Sequence, residues 1–98
     1  MKYEVIRDGD ALTVIPWGSL DVNSSPELES ALDSELDDVT TLTVDLAHVT
    51  YVSSMGLRLL LSWQKRMFKQ GFMYIINVSD DVMELFAATG FTEILEIR

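Results

Sequence analysis

Apolar residues recur along the chain in two patterns, one typical of strands and one typical of helices. Short β-rich runs predict strands, and apolar residues three and four positions apart predict amphipathic helices. The strand pattern covers residues 2–6, 11–17, 41–46, 72–77 and 91–97. The helix pattern covers roughly residues 25–37, a stretch that begins at 53–54 and runs to 70, and residues 79–89. The predicted order is therefore β-β-α-β-α-β-α-β.

Turn and capping residues lie where this order requires them. Arg7-Asp8-Gly9-Asp10 predicts a hairpin turn, and Ser24-Ser25-Pro26 predicts a helix start. Gly71 and Gly90 stand where the second and third helices should end. Strands separated by helices favour right-handed crossovers and parallel pairing. We therefore expect an α/β fold whose mixed sheet has an antiparallel N-terminal hairpin, mostly parallel strands after it, and about three helices.

Composition and charge narrow the classes of function. The 98 residues predict one domain, residues 1–98, and the net charge of −9 disfavours nucleic-acid binding because phosphate backbones would be repelled. No apolar run approaches the roughly 20 residues that cross a bilayer, and cysteine is absent, so we expect no membrane insertion and a cytoplasmic location. The acidic run 27–38 is either a solvated helix face or a surface that steers a basic partner.

The sequence offers few residues that could support catalysis or metal binding. The only histidine, His48, follows Asp45 by three residues, and a small hydrolase that uses Ser54 and His48 ranks last among the functions considered. The turn before the second helix lacks the first glycine of the Gly-x-Ser-x-Gly nucleophile motif. One histidine without cysteine cannot build a transition-metal site unless several carboxylates join it. The sequence therefore predicts no enzyme, no cofactor and no metal.

The second helix carries apolar residues on two sides. One side is predicted to pack on the sheet and contains Leu57, Leu60, Leu61, Met67 and Phe68. The other is a stripe of Met55, Leu59 and Trp63. A helix that is apolar on two sides is either sandwiched or presents a binding surface, and in so short a chain we favour the binding surface over edge packing. Arg58, Arg66 and Lys69 flank the stripe and could pair with acidic residues of a partner.

Two serines precede this stripe at the start of the same helix. Ser53 or Ser54 is well placed as the N-cap that accepts a free backbone N–H. A phosphate on such a hydroxyl would lie at the positive end of the helix dipole. Phosphorylation would also add about −1.5 to −2 charges to an already acidic surface, which could abolish docking by repulsion and bulk.

Several motifs together resemble the STAS domain family, as found in single-domain bacterial anti-sigma factor antagonists. The matching segments are Gly18-Ser19-Leu20-Asp21, Val44-Asp45-Leu46, Ser53-Ser54-Met55-Gly56-Leu57, and Leu85 to Gly90 followed by Phe91. Their order and spacing agree with the family over nearly the whole chain.

The resemblance implies a regulatory mechanism. The unphosphorylated domain would bind an anti-sigma factor that is also a serine kinase, and a serine phosphatase would reverse the phosphorylation that breaks the complex. By position the phosphoacceptor would be Ser54, with Ser53 as the alternative because Ser53 replaces the family's usual aspartate. The partner-binding residues would be Asp21, Met55, Gly56, Arg58, Leu59 and Trp63. The alternative function is a STAS accessory subunit of a transport complex that acts without phosphorylation.

Overall fold

Five strands and three α-helices make up the chain. The computed structural model describes all residues from Met1 to Arg98. The strands are β1 Tyr3–Asp8, β2 Ala11–Leu20, β3 Thr41–Asp45, β4 His48–Val52 and β5 Phe72–Ile76. The helices are α1 Ser24–Leu32, α2 Ser54–Gln70 and α3 Asp80–Thr89, and a 3₁₀ turn, Phe91–Glu93, follows them. The predicted fold class is confirmed: a mixed sheet, an antiparallel first pair and three helices.

The long strand β2 organises the sheet because it pairs with three neighbours. It is antiparallel to β1 along most of its length, and the two strands are joined by the predicted turn, in which Gly9 has a positive φ of 62°. Its first half pairs in parallel with β3, which pairs in turn with β5. Its second half pairs in parallel with β4, after an irregularity at Gly18 (φ 89°) and Ser19. The fork brings the ends of β2 and β4 side by side.

Two predictions about strands are wrong. Strand β4 was not predicted: it follows β3 after only two residues, and no glycine or proline marks the break. A side chain makes this turn, because Asp45 Oδ1 accepts the backbone N–H of Ala47 at 2.9 Å. The predicted last strand, 91–97, is instead a 3₁₀ turn with a single parallel bridge between Ile97 and Ile75.

Helix α2 is sandwiched along its middle. Leu60 and Met67 are buried in the core, as predicted. The predicted exposure of Leu59 and Trp63 is wrong: Leu59 is 3% exposed and Trp63 is 2% exposed. Helix α1 packs against α2, so Leu59 and Trp63 of the outer apolar stripe are also part of the core, while Met55 is half-buried. Phe68, which was predicted to pack on the sheet, is 83% exposed.

The segment after α1 extends this cover. Helix α1 ends at Leu32, earlier than predicted, and residues 33–38 form turns. Gln70 Nε2 donates to the backbone oxygens of Leu36 and Val39, each at 2.6 Å. These bonds hold the segment after α1 to the end of α2, which explains how a short chain covers both sides of one helix.

The acidic run is partly paired within the chain. Arg66 donates from Nη1 to Asp33 at 3.1 Å and from Nη2 to Asp37 at 2.6 Å. Arg7 Nη2 donates to Asp38 at 2.7 Å. Arg66 therefore binds the chain's own carboxylates, which corrects its suggested role toward a partner. Exposed pairs of this kind stabilise a fold by less than about 1 kcal/mol each. No helix combines the length and the apolar character that crossing a membrane would need.

Candidate partner-binding surface at the start of the second helix

The start of α2 is fixed against the end of β2 by backbone contacts. The N–H of Ser53 donates to the oxygen of Leu20 at 2.8 Å, which continues the β2–β4 pairing into the loop. Gly56 is buried at this contact, and a Cβ at its position would lie 2.5 Å from the oxygen of Leu20. Gly56 is therefore needed for close approach and offers no side chain to a partner, so its predicted role in binding becomes one of positioning α2.

The two serines have different roles. Ser53 is the N-cap, and its Oγ accepts the N–H of Gly56 at 3.4 Å. Ser54 is the first residue of α2, and its exposed hydroxyl makes no hydrogen bond within the chain. The sequence left the capping serine undecided, and the structure assigns the cap to Ser53. The hydroxyl of Ser54 is the one that is free to react or to contact another molecule.

The first turn of α2 is suited to an anion. The backbone N–H groups of Ser54 and Met55 have no acceptor in the chain, as is usual for the first residues of a helix. No acidic side chain occupies this turn. Arg58 is exposed, and its Nη1 lies 4.0 Å from Met55 Sδ. The helix dipole and the Arg58 guanidinium therefore both favour negative charge next to Ser54.

Asp21 organises the loop beside this turn. Its Oδ1 accepts the N–H groups of Ser24 and Asn23, each at 2.9 Å. These bonds from Ser24 and then Asn23 hold the pKa of the Asp21 carboxyl below its usual range. Asn23, and not Ser24 or Ser25, is the boundary residue of α1, while Ser24 Oγ donates to the oxygen of Ser19 at 2.6 Å. The carboxylate of Asp21 thus shapes the loop after β2.

The structure brings together only part of the predicted site. Asp21 lies in the loop after β2, and the first five residues of α2 contain Ser54, Met55 and Arg58, close to where β2 and β4 end. Leu59 and Trp63 do not belong to this surface, because α1 covers them.

Two exposed apolar residues of this region were missed from the sequence. Val22 is 64% exposed in the loop after β2, and Tyr51 is 56% exposed near the end of β4. An apolar residue isolated between polar ones, as Val22 is between Asp21 and Asn23, was the available signal. Val22 and Tyr51 are therefore exposed apolar side chains near this end of α2.

The residues considered for catalysis are engaged elsewhere. The His48 ring stacks on Trp17, with centroids 4.3 Å apart and an interplanar angle of 5°. Asp45 Oδ1 accepts from Asn77 Nδ2 at 3.1 Å in addition to the N–H of Ala47. No hydrogen bond joins His48 to Asp45 or to either serine. The chain has no cluster of three or more His, Cys, Asp or Glu side chains that could hold a metal ion.

Comparison with known proteins identifies the relatives of this chain. Residues 2–98 match the STAS domain family. The anti-sigma-B factor antagonist of Staphylococcus epidermidis is 32% identical over 100 residues, covering 100% of this chain and 93% of the relative. That of Listeria monocytogenes is 29% identical over 94 residues, covering 94% of this chain and 82% of the relative. These relatives are named antagonists of a protein factor, which confirms the prediction of a regulatory binding protein over an enzyme.

Solved structures agree in fold. The anti-sigma factor antagonist SpoIIAA in its unphosphorylated form has a TM-score of 0.79 at 14% identity and covers 99% of this chain and 87% of its own. The phosphorylated form of SpoIIAA from Bacillus has a TM-score of 0.76 at 15% identity and covers 99% and 91%. At these identities the likeness supports the fold, and it confirms the predicted architecture.

Proposed function

The chain belongs to the STAS domain family, and on that premise we propose that it is an anti-sigma factor antagonist that acts as a protein-binding switch. Its partner is an anti-sigma factor with serine kinase activity, met in the cytoplasm. The names of the two bacterial relatives support an anti-sigma factor as the partner, and the kinase activity rests on the resemblance to the family. The binding surface is the start of α2 with the loop after β2 and the end of β4.

The free hydroxyl of Ser54 is the observation that carries the proposal. It is exposed at the first position of a 17-residue helix, while the neighbouring Ser53 hydroxyl is used as the cap. Exposed Val22 and Tyr51 supply apolar contact area nearby, and Arg58 supplies a charge. A kinase that docks here would find one serine available and the other hydrogen-bonded. Ser54 is therefore the proposed phosphoacceptor, and Ser53 remains the alternative.

Phosphorylation would break the complex through local charge and bulk. A phosphate on Ser54 adds about −1.5 to −2 charges within reach of the free N–H groups of Ser54 and Met55 and of the Arg58 guanidinium. Those groups would then be satisfied within the chain and withdrawn from the partner. The helix would stay folded, because negative charge at its amino end is favourable. A serine phosphatase would restore the binding form.

Phosphorylation and binding can be measured together. The full chain is incubated with ATP and each anti-sigma factor kinase of the source organism, and the modified residue is located by mass spectrometry. We expect one phosphate on Ser54, none on the Ser54→Ala variant, and normal phosphorylation of Ser62→Ala. Ser62 is a matched control because it is exposed on the same helix, two turns away. Calorimetric titration should show that the phosphorylated protein binds the kinase at least about tenfold more weakly.

Other outcomes separate the alternatives. Phosphate on Ser53 with Ser54 unmodified would transfer the switch to the capping serine. A stable complex with a kinase that never modifies either serine would leave an antagonist without a phosphorylation switch. No complex with any anti-sigma factor, together with co-purification of transporter subunits, would contradict the proposal in favour of an accessory subunit.

A further inference from the structure

Strand β4 contains one residue more than the stretch of β2 that it pairs with. Gly18 of β2 pairs with Val49. Ser19, the next residue of β2, pairs with Tyr51, which leaves Thr50 without a partner. Gly18 has a φ of 89°, a left-handed conformation that glycine adopts readily and that occurs at such irregularities. A β-bulge of this kind changes the direction in which the following side chains point.

The bulge places the side chain of Tyr51 in solvent. Side chains alternate along a regular strand, so a residue two positions after the buried Val49 would also point into the core. Tyr51 occupies that position and is 56% exposed, while the next residue, Val52, is 1% exposed. The extra residue, Thr50, therefore reverses the alternation. It keeps both valines in the core and turns the tyrosine outward.

Tyr51 is the tyrosine that the fold does not use. The Tyr3 ring packs against the core. The Tyr74 ring stacks on Phe72, and the Arg98 guanidinium lies 4.0 Å from its centre. The Tyr51 ring stacks on no other aromatic ring, and its hydroxyl makes no hydrogen bond within the chain. A ring with an apolar body and a polar tip, both without partners, is typical of side chains that anchor protein interfaces.

The backbone fixes Tyr51 close to the proposed phosphoacceptor. Tyr51 precedes Ser54 by three residues, and Ser53 between them donates its N–H to the oxygen of Leu20 at 2.8 Å. Tyr51 itself is held by its pairing with β2. Val22, which follows Leu20 by two residues, is 64% exposed and extends the apolar area. The outward tyrosine is therefore held by the same strand pair that positions the start of α2.

On the basis of the proposed function, on which this inference rests, we propose that Tyr51 is the anchor residue that sets the affinity of the chain for its anti-sigma factor. Its ring would enter an apolar pocket of the partner, and its hydroxyl would donate to an acceptor in that pocket. Charged groups act mainly on the association rate, so on a chain of net charge −9 the affinity needs an apolar contact of this kind. Ser54 then determines when the complex forms, and Tyr51 determines how strongly.

Calorimetric titration with the anti-sigma factor that binds the unaltered full chain tests the anchor. Tyr51→Thr removes the ring and keeps a residue that favours strands. We expect it to bind about 30-fold more weakly, the loss typical of an interface anchor. Tyr51→Phe removes only the hydroxyl and should weaken binding about fivefold, through one lost hydrogen bond. Ile6→Thr is the matched control, because Ile6 is 55% exposed in β1, beside the first half of β2, and should leave the affinity unaltered.

Phosphorylation kinetics give a second readout. An anchor contributes equally to the bound state and to the transition state of phosphoryl transfer, so Tyr51→Thr should raise KM for the chain and leave kcat unchanged. The phosphate should remain on Ser54. A fall in kcat at unchanged KM would contradict an anchoring role.

The outcomes separate this inference from the proposed function. If no anti-sigma factor binds the unaltered chain, the proposed function fails and the anchor fails with it. If the unaltered chain binds and both Tyr51 variants bind equally well, the function stands and the anchor is wrong. An equal loss for Ile6→Thr would also overturn the anchor, because the effect would then be common to exposed apolar residues. A urea midpoint close to that of the unaltered protein verifies that each variant is folded.

Discussion

The two ends of helix α2 present different chemistry to solvent. At the amino end the free groups are polar: the Ser54 hydroxyl, two backbone N–H groups and the Arg58 guanidinium. At the carboxyl end the free groups are the Phe68 ring and the ammonium groups of Lys65 and Lys69. Between them the helix is buried on both sides, by the sheet and by α1.

Stability and recognition therefore depend on different parts of α2. The middle of α2 contributes apolar burial, and either end keeps groups that the fold does not use. A polar end with free N–H groups suits a switch that depends on one negative charge. The other end exposes the Phe68 ring beside the Lys65 and Lys69 ammonium groups. Substitutions in the middle should therefore change the free energy of unfolding, and substitutions at the amino end should change binding.

The largest expected effect is the difference in the free energy of unfolding between substitutions of Trp63 and of Phe68. Trp63→Ala removes a buried indole and should lower the free energy of unfolding by about 3–5 kcal/mol. Phe68→Ala removes a mostly exposed ring and should change it by less than about 0.5 kcal/mol. Urea unfolding followed by circular dichroism measures both. If Trp63→Ala were tolerated and Phe68→Ala were costly, the assignment of core and surface along α2 would be reversed.

A smaller effect compares the glycines at the two ends of α2. A Cβ on Gly71 would clash with the backbone oxygen and carbons of Thr40, so Gly71→Ala should destabilise the fold by about 3 kcal/mol. A Cβ on Gly56 would lie 2.5 Å from the oxygen of Leu20. There the clash is milder and alanine favours a helix by about 1 kcal/mol, so the expected net loss is about 1–2 kcal/mol.

The same urea unfolding measurement, with Ser62→Ala as the control, checks this ranking. Equal losses in the free energy of unfolding at both glycines would show that the two ends of α2 pack equally tightly against the neighbouring backbone. Gly56→Ala should in addition weaken binding of the anti-sigma factor, because it displaces the turn that carries Ser54.

The smallest effect concerns acid sensitivity at the amino end. The Asp21 carboxyl has its pKa lowered below 3.8 in the folded protein, so the unfolded chain binds this proton more readily. Its contribution to stability is therefore present above about pH 4 and is lost as the pH falls through the folded pKa. Asp21→Asn keeps an oxygen for the N–H groups of Ser24 and Asn23 but removes the charge.

The difference in urea midpoint between Asp21→Asn and the unaltered protein should be present near neutral pH and shrink on acidification. The Asp38 carboxyl also has a lowered pKa, because Arg7 donates a hydrogen bond to it, and it accounts for part of the remaining pH dependence. A difference that stayed constant from about pH 6 to about pH 3 would show that the Asp21 charge does not contribute.

Local patterns predicted most of the elements but not how they meet. Helices α2 and α3 and strands β3 and β5 agree closely with their predictions, because each has a periodic apolar pattern and a local stop or cap. Strand β4 was missed because the turn that separates it from β3 contains no glycine or proline. A hydrogen bond to the Asp45 side chain makes this turn. Residues 91–97 have the apolar content of a strand, yet Phe91 packs near Phe86 and the chain turns there.

The candidate site was predicted in its chemistry but not in its extent. The helix start and its two serines could be identified from the sequence, because N-caps and helix termini are local features. The division of roles between Ser53 and Ser54 needed the position of the Gly56 N–H. The stripe of Leu59 and Trp63 was misassigned because periodicity gives the faces of a helix without telling which neighbour covers each face.

The sequence by itself determined the start of α2 and the hydroxyls there, because these depend on neighbours within a few positions. The order and spacing of elements and motifs along the chain determined the α/β class and the family. Only the tertiary structure decided that α1 and the segment after it cover the outer side of α2. It also decided that Val22, Tyr51 and Phe68 stay exposed. Those features depend on contacts between residues about 30 or more positions apart, such as Arg66 with Asp37 and Gln70 with Val39, and such contacts leave no periodic trace in the chain.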